Sequence, residues 1–167
     1  IPEYRSISRK RKILTVKQEY LKADSEIESF STDLRVDARN SFDNNSGIYI
    51  YYKDQYNWAR LEVQSTEGNE YMRFSYQSGD DITALTQKIT PNNIKIANFA
   101  LNKWFTVKAD YAYSSTGMTV KVSIIDTYTE TALTSFTHET TVMNSGVRVG
   151  YGAATKGTEV YYDNFSV

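Results

Sequence analysis

The sequence has no cysteine, a single histidine and only two prolines among its 167 residues. Without cysteine there are no disulfides and no thiolate chemistry. A chain of this length can bury most of its apolar surface without such staples, so an extracellular location stays open. One histidine and no thiol leave too few ligands for a zinc site. No apolar run approaches the roughly twenty residues that a spanning helix needs, so no membrane span is expected. Helical periodicity is scarce as well. Apart from one turn at 96–103, no 3.6-residue pattern lasts as long as a helix requires. The prolines and the eight glycines fall mainly between the apolar runs rather than inside them.

The length is that of one domain, 1–167. The net charge is −1 but unevenly spread: residues 1–22 hold seven Lys/Arg against Glu3 and Glu19. Residues 1–12 read as a basic lead-in segment, a linker remnant from a preceding domain, and Ile1-Pro2 as the start of a matured or excised segment. The chain is therefore expected to belong to a larger multidomain protein. One basic cluster without interleaved aromatics does not make a nucleic-acid-binding face, and no nucleic acid is expected as partner.

What the chain does contain is period-two alternation, the mark of half-buried strands. The clearest case is 44–64, NNSGIYIYYKDQYNWARLEVQ. Ile48 and Ile50 share one face of the first run, with Tyr49 and Tyr51 on the other. In the second run Ala59, Leu61 and Val63 oppose Trp58, Arg60, Glu62 and Gln64. Similar runs lie at 13–20, 30–38, 70–76, 82–90, 94–98, 104–111, 118–124, 132–138, 146–151 and 159–167, separated by turns rich in Asn, Asp, Ser and Gly. The pattern predicts an all-β, two-sheet antiparallel sandwich. Its core would hold Leu34, Val36, Ile48, Ile50, Leu61, Val63, Phe74, Val107, Val120, Val122, Val149 and Phe165. Fourteen tyrosines need places. Tyr76 and Tyr111 fall on apolar faces, while Trp104 fits either side.

If 47–52, 58–64 and 70–76 are neighbouring strands, their non-core side chains form one patch: Tyr49, Tyr51, Trp58, Arg60, Glu62, Gln64, Tyr71 and Arg73, extended by Arg35 and Asp37 from the preceding strand and by Arg148 from a later one. Rings, guanidinium, carboxylate and amide groups on one face are equipped to bind a glycan. Rings stack on the C–H faces of sugars, and the polar groups fix hydroxyls. Its arginines favour a glycan that carries carboxylates, which a guanidinium binds in bidentate fashion. His138, in the polar stretch FTHETT, reads as a solvated surface residue. No strand carries the paired carboxylates that glycoside hydrolysis needs, and no nucleophile–base pair is visible, so binding is expected rather than catalysis.

Four stretches carry a family resemblance: FSTDLRVDA with NNSGIYIYY, KDQYNWARLEV, NKWFTVKADYAYSSTGMTVKVSI, and GVRVGYGAATKGTEVYYDNFSV. Together they resemble the laminin-G-like, concanavalin A-like lectin/glucanase jelly rolls of bacterial carbohydrate-active proteins. NNSGIYI followed by LEVQ is also similar to the keto-disaccharide hydrolase family, but Tyr51, Tyr52 and Lys53 stand where that family has an Arg. The resemblance implies a jelly roll binding carbohydrate on one sheet, in a secreted or cell-surface bacterial protein. The alternatives are a hydrolase or lyase of the same fold, or a protein-adhesion or spacer module. It also implies one structural Ca2+ ion near the chain ends, with Asp163 as its ligand. An Asp that accepts hydrogen bonds across the closing strands would account for the same residue.

Overall fold

Strands that alternate apolar and polar residues bury one face each, and two such sheets satisfy each other by stacking those faces. The computed structural model describes residues 4–6, 12–15, 27–37, 46–66, 69–79, 92–94, 102–153 and 159–167, with side chains at 27–35, 48–61, 74–79, 102–151 and 161–167. Among the described residues there are twelve strands and no helix. The strands are β1 (Tyr4–Ser6), β2 (Lys12–Thr15), β3 (Ser29–Asp37), β4 (Ser46–Asp54), β5 (Asn57–Thr66), β6 (Asn69–Gln77), β7 (Asn92–Ile94), β8 (Trp104–Ser114), β9 (Gly117–Asp126), β10 (Thr131–Thr140), β11 (Gly150–Ala153) and β12 (Glu159–Ser166). They form two six-stranded sheets, ordered β1-β12-β3-β8-β9-β10 and β2-β11-β4-β5-β6-β7. Every pairing is antiparallel.

The core lies between the sheets. Leu34, Phe105, Val107, Ala109, Val120, Val122 and Ile124 come from the first, and Ile48, Ile50, Ala59, Leu61 and Phe74 from the second. Val149 joins them and Phe165 packs half-buried at the margin, as the alternation predicts; the side chains of Val36 and Val63 lie outside the described residues. Tyr111 and Tyr76 also take the predicted core side. The basic lead-in contributes structure at Tyr4–Ser6, which pairs with β12. The run expected as a strand at 146–151 starts later: Gly146 has φ +65, and pairing begins at Gly150. The run at 82–90 and residues 96–101 of the turn expected at 96–103 lie outside the described residues.

Two bulges set the local geometry. In β4, Tyr49 stands opposite Arg60 and Tyr51 opposite Ala59, so Ile50 is an extra residue. A bulge breaks the two-residue phase and turns the next side chains to the opposite face. The Ile50 carbonyl accepts a buried hydrogen bond of 2.6 Å from the Tyr111 hydroxyl of the facing sheet. In β12 the register slips between Asp163 and Ser166, with Asn164 at φ +50. There the Thr32 hydroxyl donates to the Asp163 carbonyl at 3.0 Å. Each bulge thus has a carbonyl answered by a hydroxyl, which removes the cost of an unpaired acceptor.

Candidate functional site

The second sheet has a core side and an outer side. Ala59 and Leu61 point to the core, so Trp58 and Arg60 point out; Tyr49 follows from its pairing with Arg60. On β6, Ser75 and Gln77 stand opposite Arg60 and Trp58. The face therefore gathers Tyr49, Trp58, Arg60, Ser75 and Gln77. The Arg60 guanidinium carbon lies 5.1 Å from the Trp58 ring centroid and 5.8 Å from that of Tyr49. Such cation–π contacts strengthen when desolvated. Tyr49 meets Trp58 edge-on at 6.2 Å and Tyr52 edge-on at 5.5 Å.

This face was expected to be open, and it is not. Tyr49 is 2% exposed, Trp58 7% and Arg60 5%. Gln77 is 1% exposed, and neither its amide oxygen nor its nitrogen has a hydrogen-bond partner among the described residues. Solvent reaches the face at its rim, where Tyr52 is half-buried and Arg148, between core residues Val147 and Val149, is exposed. The Tyr52 N–H donates to the Arg148 carbonyl at 2.9 Å. Arg148 and Lys53 line a cleft of about 210 Å³ there, and the Lys53 ammonium donates to the Val142 carbonyl at 3.1 Å.

The remaining members divide. Arg35 and Asp37 do not extend the patch: β3 belongs to the first sheet, where Arg35 lies over the Trp104 and Tyr161 rings. The backbone register pairs Glu62 with Arg73 and Gln64 with Tyr71, but the side chains of these four lie outside the described residues. Tyr51 does not belong to the patch: the Ile50 bulge turns it into the core, where it is fully buried. Its hydroxyl lies 3.1 Å from His138 Nε2, and burial, the largest influence, pushes its pKa up to about 12.

His138 is likewise misplaced by the sequence reading. It is a half-buried residue of the space between the sheets, not a solvated one. Its ring stacks on Tyr51 at 5.9 Å and 18°, and lies 5.1 Å from Phe74 and 4.5 Å from Tyr76. Burial pushes its pKa down to about 4, so the imidazole is neutral at physiological pH. Sequence reasoning also passed over Ser75 and Gln77. Extending the Met72–Phe74–Tyr76 alternation to the residues between and just past them would have found both.

Asp163 has a hydrogen-bonding account. Its Oδ1 accepts the Asn164 N–H at 2.8 Å. The facing Asp33 accepts the Thr106 hydroxyl and the Asn164 side-chain amide, both at 2.6 Å. Calcium needs six to eight oxygen ligands. Here hydrogen-bond donors occupy the facing carboxylate, and among the described residues no group of three His, Cys, Asp or Glu could hold an ion. The residues around Asp163 do not fit the expected Ca2+. No helix among the described residues is long and apolar enough to cross a membrane.

No family model matches the sequence, and neither does any curated protein. Solved structures do match in shape. The carbohydrate-binding module CBM66 from Bacillus subtilis superposes with a TM-score of 0.57 at 10% identity, over 96% of this chain and 83% of that one. A legume lectin-like domain from Entamoeba histolytica gives 0.55 at 11% identity, over 85% and 73%. The CBM2 module of an evolved Dit protein of Lactobacillus casei BL23 phage J-1 gives 0.51 at 9%, over 98% and 76%. At such identities the likeness is one of fold, and the fold is the concanavalin A-like jelly roll that the sequence resembles.

Proposed function

We propose that this protein is a non-catalytic carbohydrate-binding module whose glycan meets the outer side of the second sheet through the Tyr52 and Arg148 rim. The observation that carries this reading is Gln77. A buried amide with both atoms unanswered costs roughly 1–3 kcal/mol. A sheet face that merely covered a core would carry an apolar residue there. An amide sets an N–H donor beside a carbonyl acceptor, the pair that vicinal sugar hydroxyls satisfy. It stands across from Trp58 and two register positions from Arg60 on the same face, the kind of mixed apolar and polar setting that small-molecule sites use. The folds of CBM66, of the legume lectin-like domain and of the phage CBM2 module support the same reading.

The exposed Arg148 beside Lys53 favours a glycan with carboxylates. The test is a glycan array on the whole chain, followed by titration of the best ligand. Arg148→Ala should weaken a carboxylate-bearing glycan about tenfold, the loss of one charge-assisted hydrogen bond. An array with no binder would sink the proposal and leave the adhesion or spacer reading.

A further inference from the structure

On the other side of β6 from Gln77, a cleft of about 410 Å³ opens between the ends of β6, β9 and β10. Tyr76 and His138 form its ring-bearing wall, and Ser78 and Thr140 line it from the same sides of their strands. Buried Met118 lies beneath. The wall is held by close backbone approach: a Cβ on Gly117 would collide with the Thr140 carbonyl, so only glycine lets the end of β10 lie against the start of β9. Its volume falls within the range of small-ligand sites, and its lining is more polar than most.

Its chemistry is selective. Among the described residues no Lys or Arg lines it, and its one charged member, Glu139, lies on the side of β10 opposite His138, so a carboxylate entering the cleft would lose water and find no cation. The His138 ring is anchored by Tyr51 at Nε2, and among the described residues nothing else bonds to it, which leaves Nδ1 for a ligand. A neutral imidazole offers one further hydrogen bond and no charge. Hydroxyls that both donate and accept, beside one half-buried phenol ring, match a ligand that is hydroxylated on its edge and apolar on its face.

We propose that this cleft is a second binding site, separate from the outer face, for a single neutral sugar ring. His138 and Ser78 bond its hydroxyls, and Tyr76 packs on its C–H face. The lack of a cation in the cleft excludes acidic sugars.

The experiment is an NMR titration of the whole 15N-labelled chain with methyl α-glucopyranoside, methyl β-galactopyranoside and glucuronate. One of the methyl glycosides is expected to shift the amides of Thr119, His138 and Thr140 in a saturable way, while glucuronate does not. Ser78→Ala should weaken that binding about fivefold, the usual worth of one neutral hydrogen bond, and His138→Phe serves if the first variant folds poorly. Gln77→Met should leave the Thr119 and Thr140 shifts in place, whether or not a glycan binds the outer face. No shift with either glycoside would overturn the proposal. So would shifts that neither variant alters, or shifts that vanish in Gln77→Met.

Discussion

The two sides of the second sheet are about equally buried, yet they treat their polar atoms differently. On the core side the buried hydroxyls of Tyr111 and Tyr51 are answered: Tyr111 bonds the Ile50 carbonyl and Tyr51 meets His138. Farther along the same core, Tyr113 donates to the Ile27 carbonyl at 2.7 Å. On the outer side Gln77 keeps two unanswered amide atoms beside Trp58 and Arg60. Burial alone therefore does not tell a packing face from a binding face. The unmet amide of Gln77 sets the outer side apart as the one whose polar atoms still lack a partner among the described residues.

The largest effect expected from this contrast is on stability. Leu61 is fully buried, and Leu61→Ala should cost about 2–5 kcal/mol in denaturant unfolding. Trp58→Ala should cost a comparable 3–5 kcal/mol, since its ring is as enclosed as a core ring. A near-zero cost for Trp58→Ala would restore the open face that the sequence led us to expect. Next in size is Tyr111→Phe, which keeps the ring but orphans the Ile50 carbonyl. A loss of about 1–3 kcal/mol is expected, and no loss would show that the bulge needs no partner.

How far the sequence led can be judged from these residues. Alternation placed Leu34, Ile48, Leu61, Phe74 and Val107 correctly, because burial on one face of a strand writes itself as a period of two. It failed at Tyr51, because a bulge inserts a residue without any glycine or proline to mark it, and every residue from 48 to 52 is a good strand former. It failed at His138 for a different reason. Polar neighbours masked its phase, although Phe136, His138 and Thr140 share a side. The burial of Trp58 and Arg60 depends on tertiary packing that spacing along one strand cannot carry.

A pH profile sharpens the core side of the contrast. His138 is depressed from 6.5 to about 4 by burial. Above pH 6.5 it is neutral in both states and carries no pH-dependent term. As pH falls from about 6.5 to about 4, the unfolded chain takes up a proton that the folded one refuses, so stability drops across that window. His138→Phe should flatten this part of a melting-temperature profile, and an unchanged slope would mean that the ring is solvated. The smallest effect expected is none. If hydrogen bonds hold Asp163, a chelator leaves the melting curve unmoved, whereas a fall in melting temperature would show a bound ion and return calcium to the account.

The most direct test is a calorimetric titration of the array-identified glycan into Gln77→Met, with the melting temperature recorded on the same sample. The account predicts an affinity at least about tenfold weaker, together with a melting temperature equal to or above that of the parent, because an unsatisfied amide has been replaced by an apolar chain of similar length. Unchanged affinity, or a marked loss of stability, would show that Gln77 serves the fold and that the outer side is a packing face.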